Sequence, residues 1–206
     1  MLPRDSKLYL ILDKEACPTG RILNKVLLSA IKGGIDLVEL RDKNSTTKDI
    51  VRYAEKLLKI CRKNKVPFII NDRLDIALAL DADGLHLGQD DMPVSVARKL
   101  FGKSKIIGLS CHSIADLKNA QKEDADYLGF GPVFRTKTKP KAVPLGITSL
   151  KMAYRLSKKP IFAIGGITNR KLDKLNKIAG LKIAVCRQIC SSRNPRQATR
   201  KLKELI

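Results

Sequence analysis

Ala82-Asp83-Gly84-Leu85-His86-Leu87-Gly88 returns further along the chain as Ala125-Asp126-Tyr127-Leu128-Gly129-Phe130-Gly131, and a looser copy precedes both as Gly34-Ile35-Asp36-Leu37-Val38-Glu39-Leu40. Each copy holds a short, near-continuous apolar run, the mark of a parallel strand buried on both faces. Reading the whole chain for such runs gives Leu8–Leu12, Ile35–Leu40, Pro67–Ile70, Gly84–Leu87, Lys105–Leu109, Tyr127–Phe130, Ile161–Ile164 and Ile183–Cys186. The three copies open the second, fourth and sixth. Eight strands with a recurrence on alternate members predict a TIM (β/α)₈ barrel filled in layers from alternate strands. A doubly wound open sheet is the rival topology, disfavoured by the lack of edge-strand signals and of a Gly-rich dinucleotide turn.

Amphipathic stretches separate the runs. The clearest starts at Thr46, an N-cap residue with Asp49 three positions on. Ile50, Ala54, Leu57, Leu58 and Cys61 follow at helical spacing, with Arg52, Lys56, Lys59 and Lys63 facing away. Asp72–Leu80, Val94–Phe101, Ser113–Gln121, Ile147–Leu156 and Asn169–Ala179 read as further helices. Asn194-Pro195 reads as a cap followed by proline at the first helical position. No linker or low-complexity segment interrupts residues 1–206, which read as one compact domain of 44% hydrophobic content.

Five scattered cysteines with no Cys-x-x-Cys pair support neither a zinc knuckle nor a thioredoxin-type motif and fit a reducing, cytoplasmic setting. The first apolar run is too short for a signal-peptide core, and no later segment approaches a membrane span. A formal charge of +21 suits nucleic acid, an anionic surface or acidic small ligands, or reflects nothing but a lysine-rich composition. The cations are spread over several helices and aromatics make up only 4% without tryptophan, so a base-stacking platform is poorly supplied.

Polar residues just beyond strand ends build the site in a barrel of this kind, because the βα loops form its mouth. Glu39, Arg41 and Lys43 alternate along the second strand end and so face one side, where two cations suit an anion. Asn71 and Asp72 follow the third strand; Gln89, Asp90 and Asp91 follow the fourth. Carboxylates from neighbouring strand ends suit Mg²⁺, which takes one or two of them together with substrate phosphates. Asp72 also reads as an N-cap, Asp90 as solvent-facing, and His86 as a hydrogen-bonded core histidine. Ser110 is within reach of a ligand, Ser113 caps the next helix, and His112 is a candidate proton shuttle without an identifiable partner. Gly131 to Lys139, carrying Thr136 and Thr138, reads as a lid over phosphate oxygens or as a basic surface loop. Gly165 and Gly166 after the seventh strand, with Arg187 and Gln188 after the eighth, fall where this fold binds phosphate. The residues thus give two anionic subsites, one metal-assisted near strands two to four, the other metal-free near seven and eight.

In order and spacing, Arg41-Asp42-Lys43, Ile70-Asn71-Asp72-Arg73, Asp83 to Asp91, Gly108-Leu109-Ser110, Gly131-Pro132 with Thr136 to Lys139, and Ile164-Gly165-Gly166-Ile167 resemble the thiamine phosphate synthase family over nearly the whole chain. The resemblance implies an enzyme joining 4-amino-5-hydroxymethyl-2-methylpyrimidine diphosphate to a thiazole phosphate with release of pyrophosphate. It implies Asp72 and Asp91 as Mg²⁺ ligands. Arg41, Lys43, Asn71 and Lys139 would hold the pyrimidine diphosphate, with Ser110 against the pyrimidine or its departing group. Thr136, Thr138, Gly166 and the end of the eighth strand would hold the thiazole phosphate. Arg41, Lys43, Ser110 and Lys139 are then the catalytic candidates, and a homo-oligomer is allowed.

The chain departs from the family's pattern in three places. Glu39 stands where glutamine is usual, and an ionised glutamate accepts hydrogen bonds without donating any. Arg135 replaces a proline, and Cys186-Arg187-Gln188 replaces valine-serine-alanine. Alternative readings are a thiazole tautomerase-like relative, which keeps a histidine at the position of His112, and a basic nucleic-acid-binding barrel.

Overall fold

A computed structural model describes residues 2–18, 23–175 and 177–206. Eight strands pair in parallel in chain order, and the last returns to the first to close the barrel. The order runs β1 (Leu8–Asp13), α1 (Leu23–Lys32), β2 (Leu37–Arg41), α2 (Thr47–Lys63), β3 (Phe68–Asn71) and α3 (Leu74–Ala79). It continues with β4 (Gly84–Leu87), α4 (Val94–Phe101), β5 (Ile106–Cys111), α5 (Ile114–Ala120), β6 (Tyr127–Phe130) and α6 (Gly146–Leu156). Then come β7 (Ile161–Ile164), α7 (Asn169–Leu172), β8 (Lys182–Val185), α8 (Arg187–Cys190) and α9 (Pro195–Glu204).

Alternation along each strand divides the apolar residues into two cores. Leu8, Leu10 and Leu12 of β1, with Val38, Leu40, Phe68 and Ile70, face outward against the helices. Tyr9, Ile11, Leu37, Ile69, Ile106, Tyr127, Phe162 and Ala184 fill the barrel itself. Tyr9, Tyr127 and Phe162 meet edge to face, with ring centroids 5.3 to 5.8 Å apart, the arrangement favoured by ring quadrupoles. Gly108 makes that filling possible. A Cβ there would fall 2.2 Å from Tyr127 Cζ and 2.5 Å from His86 Nδ1.

The aspartates of the sequence repeat have a task that its apolar pattern does not reveal. Asp36 N–H donates to Leu8 O at 3.0 Å, while Leu8 N–H donates back to Asp36 Oδ2 at 2.8 Å. Asp83 forms the same ring with Phe68, at 3.1 and 2.9 Å. Asp126 repeats it with Ile107, at 2.7 and 2.8 Å. Each aspartate therefore clasps the start of the preceding odd-numbered strand, satisfying an N–H that the ladder leaves free at the bottom of the barrel. Asp126 also accepts from Arg98 Nη2 at 2.7 Å, and Arg98 is buried with its remaining donors on the carbonyls of Gly102, Lys105 and Asp124.

The caps fall as the sequence expects. Thr46 Oγ1 accepts from Asp49 N–H, Ser113 Oγ from Asp116 N–H, and Asn194 Oδ1 from Gln197 N–H. Ile50, Ala54, Leu57, Leu58 and Cys61 form the buried face of α2. Departures cluster at the two ends. Leu23–Lys32 is a helix that strand counting passes over, burying Val26, Leu27 and Ala30. The helix expected over Asn169–Ala179 stops at Leu172, and residue 176 lies outside the described residues. Leu172, Leu175 and Ile178 are all buried. Three-residue spacing keeps them on one face, and N–H groups bond three residues back, Leu175 to Leu172 O at 2.7 Å and Ile178 to Leu175 O at 2.9 Å. The eighth strand ends at Val185, so Arg187 and Gln188 open the short helix α8 instead of lying in a loop.

Asp126→Ala removes both the clasp on β5 and the one carboxylate accepting from Arg98 Nη2. It should cost about 3 kcal/mol, since buried Arg98 is left with only the exposed Asp124 carboxylate, 3.3 Å from its Nε, to balance its charge. Thermal unfolding should then fall by roughly 10 °C; an unchanged midpoint would mean that the clasp contributes nothing.

Candidate active site

Strand ends β2 to β4 carry a polar cluster on the rim. Lys43 forms an ion pair with Asp72, and Asn71 Nδ2 donates to Asp72 Oδ1 at 2.8 Å. Asp72 holds a left-handed backbone, φ 59°, and its N–H donates to His86 O at 2.8 Å. With its carboxylate committed to Lys43 and Asn71, Asp72 does not cap α3, whose N-cap is Arg73 without a side-chain bond. Burial raises the Asp72 carboxyl; Lys43 pulls it down, and the adjacent Asp91 carboxylate pushes it up again. Asp91 is fixed by Gly88 N–H at 2.7 Å. Asp90 is exposed, as the sequence suggests. Among the described residues no group of three or more His, Cys, Asp or Glu side chains is placed to hold a metal ion. Two neighbouring carboxylates are the donor set on offer.

The other half of the mouth is a cavity of about 290 Å³ whose lining includes Arg41, Ser110, Thr136, Thr138, Lys139, Gly165, Gly166, Arg187 and Gln188. Arg41 is held by Asp13, Nη1 to Oδ2 at 2.5 Å, and Asp13 in turn accepts from the N–H groups of Glu15 and Ala16. Gly165 and Gly166 take φ of 99° and 62°, and a Cβ would fall 2.4 Å from Pro132 Cβ and 2.3 Å from Arg135 O respectively. Only glycine lets the 131–135 segment press so closely on the end of β7. Lys171 locks the same corner: its Nζ donates to Gly166 O at 3.1 Å and sits 4.8 Å from the Phe134 ring centroid. Arg187 is exposed on the rim, and Gln188 is half-buried beside it. His112 does have a partner, Gly131 O, 2.6 Å from its Nδ1. A more open depression of about 440 Å³ lies at the opposite end of the barrel. Its Arg62 and Lys105 are engaged with Asp81, and it is remote from these residues.

Glu39, Arg41 and Lys43 do not converge on a single point. Arg41 lines the cavity and Lys43 sits on Asp72, while Glu39 lies beneath them inside the barrel, 2% exposed. Burial pushes its carboxyl up to about 7. The Tyr9 hydrogen bond and Arg41 oppose that rise, and Asp72 and Asp13 add to it. Tyr9 Oη donates to Glu39 Oε2 at 2.5 Å. His86 is a hydrogen-bonded core residue, 3.0 Å from Tyr127 Oη through Nδ1, and it also reaches Ser110 Oγ, 3.0 Å from Nε2. Sequence reading missed Asp13, Tyr9, Tyr127 and Lys171. Tyr9 and Asp13 share a parity along the first strand that could have placed them inward; for Lys171 no such signal exists.

The family model described as thiamine monophosphate synthase matches residues 8–189. A thiamine-phosphate synthase of Persephonella marina is 42% identical over 98% of this chain and 96% of its own length. A thiamine-phosphate synthase of Prochlorococcus marinus is 39% identical over 98% of this chain, which spans 58% of that longer protein. Among solved structures, thiamine phosphate pyrophosphorylase from Pyrococcus furiosus superposes with a TM-score of 0.87 at 33% identity, covering 97% of this chain and 95% of the other. Fold, motif order and relatives agree: the chain belongs to the thiamine-phosphate synthase family.

Proposed function

We propose that the protein condenses 4-amino-5-hydroxymethyl-2-methylpyrimidine diphosphate with a thiazole phosphate, releasing pyrophosphate and leaving thiamine phosphate. The observation that carries this reading is the two-part mouth. A carboxylate pair with Lys43 and Asn71 stands on one side, and a cation- and glycine-lined cavity stands on the other.

Asp72 and Asp91 fit Mg²⁺, a cation that needs few protein carboxylates when phosphate oxygens complete its shell. Bound there, Mg²⁺ would neutralise charge growing on the departing diphosphate. Arg41, Lys43, Asn71 and Lys139 add hydrogen bonds and positive charge to the same group, strongest as the bond breaks. An electron-rich aminopyrimidine stabilises a methylene cation, so the reading calls for no side-chain nucleophile. Keeping water from that cation is the task assigned to the 135–141 segment. Thr136, Thr138, Gly165, Gly166, Arg187 and Gln188 are assigned to the thiazole phosphate. Arg187 supplies a charge-assisted contact where the family's serine would offer a neutral one.

Five cysteines without a disulfide among the described residues fit a cytoplasmic enzyme. Among the described residues, no helix is long and apolar enough to cross a membrane. The +21 charge is read as serving anionic substrates rather than nucleic acid.

Supplied with both phosphorylated precursors and Mg²⁺, the protein should form thiamine phosphate and pyrophosphate in equal amounts; a folded protein giving neither would sink the reading. Asp91→Ala should abolish Mg²⁺-dependent turnover and leave thiazole phosphate binding nearly intact, whereas equal loss of both would dissolve the division into subsites. Arg187→Ala should raise the KM for thiazole phosphate about ten- to a hundredfold, the usual weight of a charge-assisted hydrogen bond. An unchanged KM would return Arg187 to the surface.

A further inference from the structure

We propose that Glu39, acting through Tyr9, Tyr127 and His86, sets the direction of hydrogen-bond donation across the barrel and makes Ser110 an acceptor-only contact for the ligand. Five side chains from five strands form one unbranched series. Glu39 Oε2 to Tyr9 Oη is 2.5 Å, Tyr9 Oη to Tyr127 Oη 2.9 Å, Tyr127 Oη to His86 Nδ1 3.0 Å, and His86 Nε2 to Ser110 Oγ 3.0 Å. All but Ser110 are buried, so no water competes along the series. Ser110 alone reaches the mouth cavity.

Counting protons fixes the direction. Ionised, on the alkaline side of its titration at about 7, Glu39 can only accept, so Tyr9 spends its single proton on it and must accept from Tyr127. Tyr127 has then spent its own proton and must accept from His86 Nδ1–H. His86 is buried with a hydroxyl on each ring nitrogen and no carboxylate bonded to either, so the ring stays neutral. A neutral imidazole carries one N–H, so Nε2 is bare and accepts the Ser110 hydroxyl. Ser110 is left with lone pairs alone to show the cavity. A ligand at Ser110 must then donate, as an exocyclic amine on a pyrimidine does. Glu39 and His86 are positioning residues in this scheme, acting on the ligand through Ser110.

An apolar residue in place of Glu39 reverses the series. Tyr9 would donate to Tyr127, Tyr127 to His86 Nδ1, and His86 Nε2–H to Ser110, whose hydroxyl would then be free to donate into the cavity. The same carboxylate therefore supports the interior and selects the ligand group.

The proposal deepens the functional reading at Ser110, but its test needs neither substrate nor turnover. The chain has two histidines, so isotope-labelled histidine read by nitrogen NMR, with His112→Gln for assignment, reports the His86 tautomer directly. On the alkaline side of the Glu39 titration, the wild-type protein should carry the proton on Nδ1. In Glu39→Leu it should move to Nε2. Tyr127→Phe removes the Nδ1 partner, should give the same move, and supplies the readout if Glu39→Leu does not fold. An Nε2 proton in the wild type, or an Nδ1 proton retained in folded Glu39→Leu or Tyr127→Phe, overturns the proposal. A failed condensation assay alongside the expected tautomer shift would count against the synthase reading alone.

Discussion

Closing eight parallel strands into a ring removes every sheet edge, but it also encloses a space that alternate side chains of each strand must fill without a void. In this barrel the fill is unusually polar. Tyr9, Tyr127 and Phe162 supply bulk, while Glu39 and His86 bring groups that water cannot reach. Buried polar groups are tolerable only when each finds a partner, and the linear hydrogen-bond series answers that need. Gly108 belongs to the same solution, since its missing side chain is the space in which Tyr127 and His86 meet.

Above this filled interior the mouth divides its charges by support as well as by sign. Arg41 rests on buried Asp13, and Lys171 on the carbonyl of Gly166, so these cations are pre-oriented. Lys43, Lys139 and Arg187 are exposed at the rim. Under the proposed function, such an arrangement would combine fixed contacts near the reacting centre with long side chains that adapt to phosphate oxygens.

Architecture was legible in the sequence because parallel strands in a closed barrel advertise themselves as short, doubly buried apolar runs. All eight appear within a few residues of their predicted bounds. The candidate residues of the mouth were legible because a barrel of this kind gathers its polar groups at strand ends. Less legible were the parts governed by partners distant in sequence. Nothing in Tyr9 or Tyr127 announces that their hydroxyls meet, because 118 residues separate them. Glu39 read as part of a ligand-facing trio because alternation fixes its side of the strand but not its depth in the barrel. The turn after β7 departed from its helical reading for another reason: Leu172, Leu175 and Ile178 satisfy a three-residue period better than the α-helical one.

The clasps formed by Asp36, Asp83 and Asp126 secure three successive strand pairs at the end of the barrel remote from the mouth. The fourth pair has no aspartate: Tyr154 Oη bridges it, donating to Ile161 O and accepting from Lys182 N–H. These fastenings and the candidate site thus lie at opposite poles of the same strands. Divergence such as the arginine at 187, the first residue of α8, or the glutamate at 39, inside β2, leaves those fastenings untouched. This polarity gives the scaffold evolvability: its lineage can revise what the upper rim recognises while inheriting an unchanged foundation.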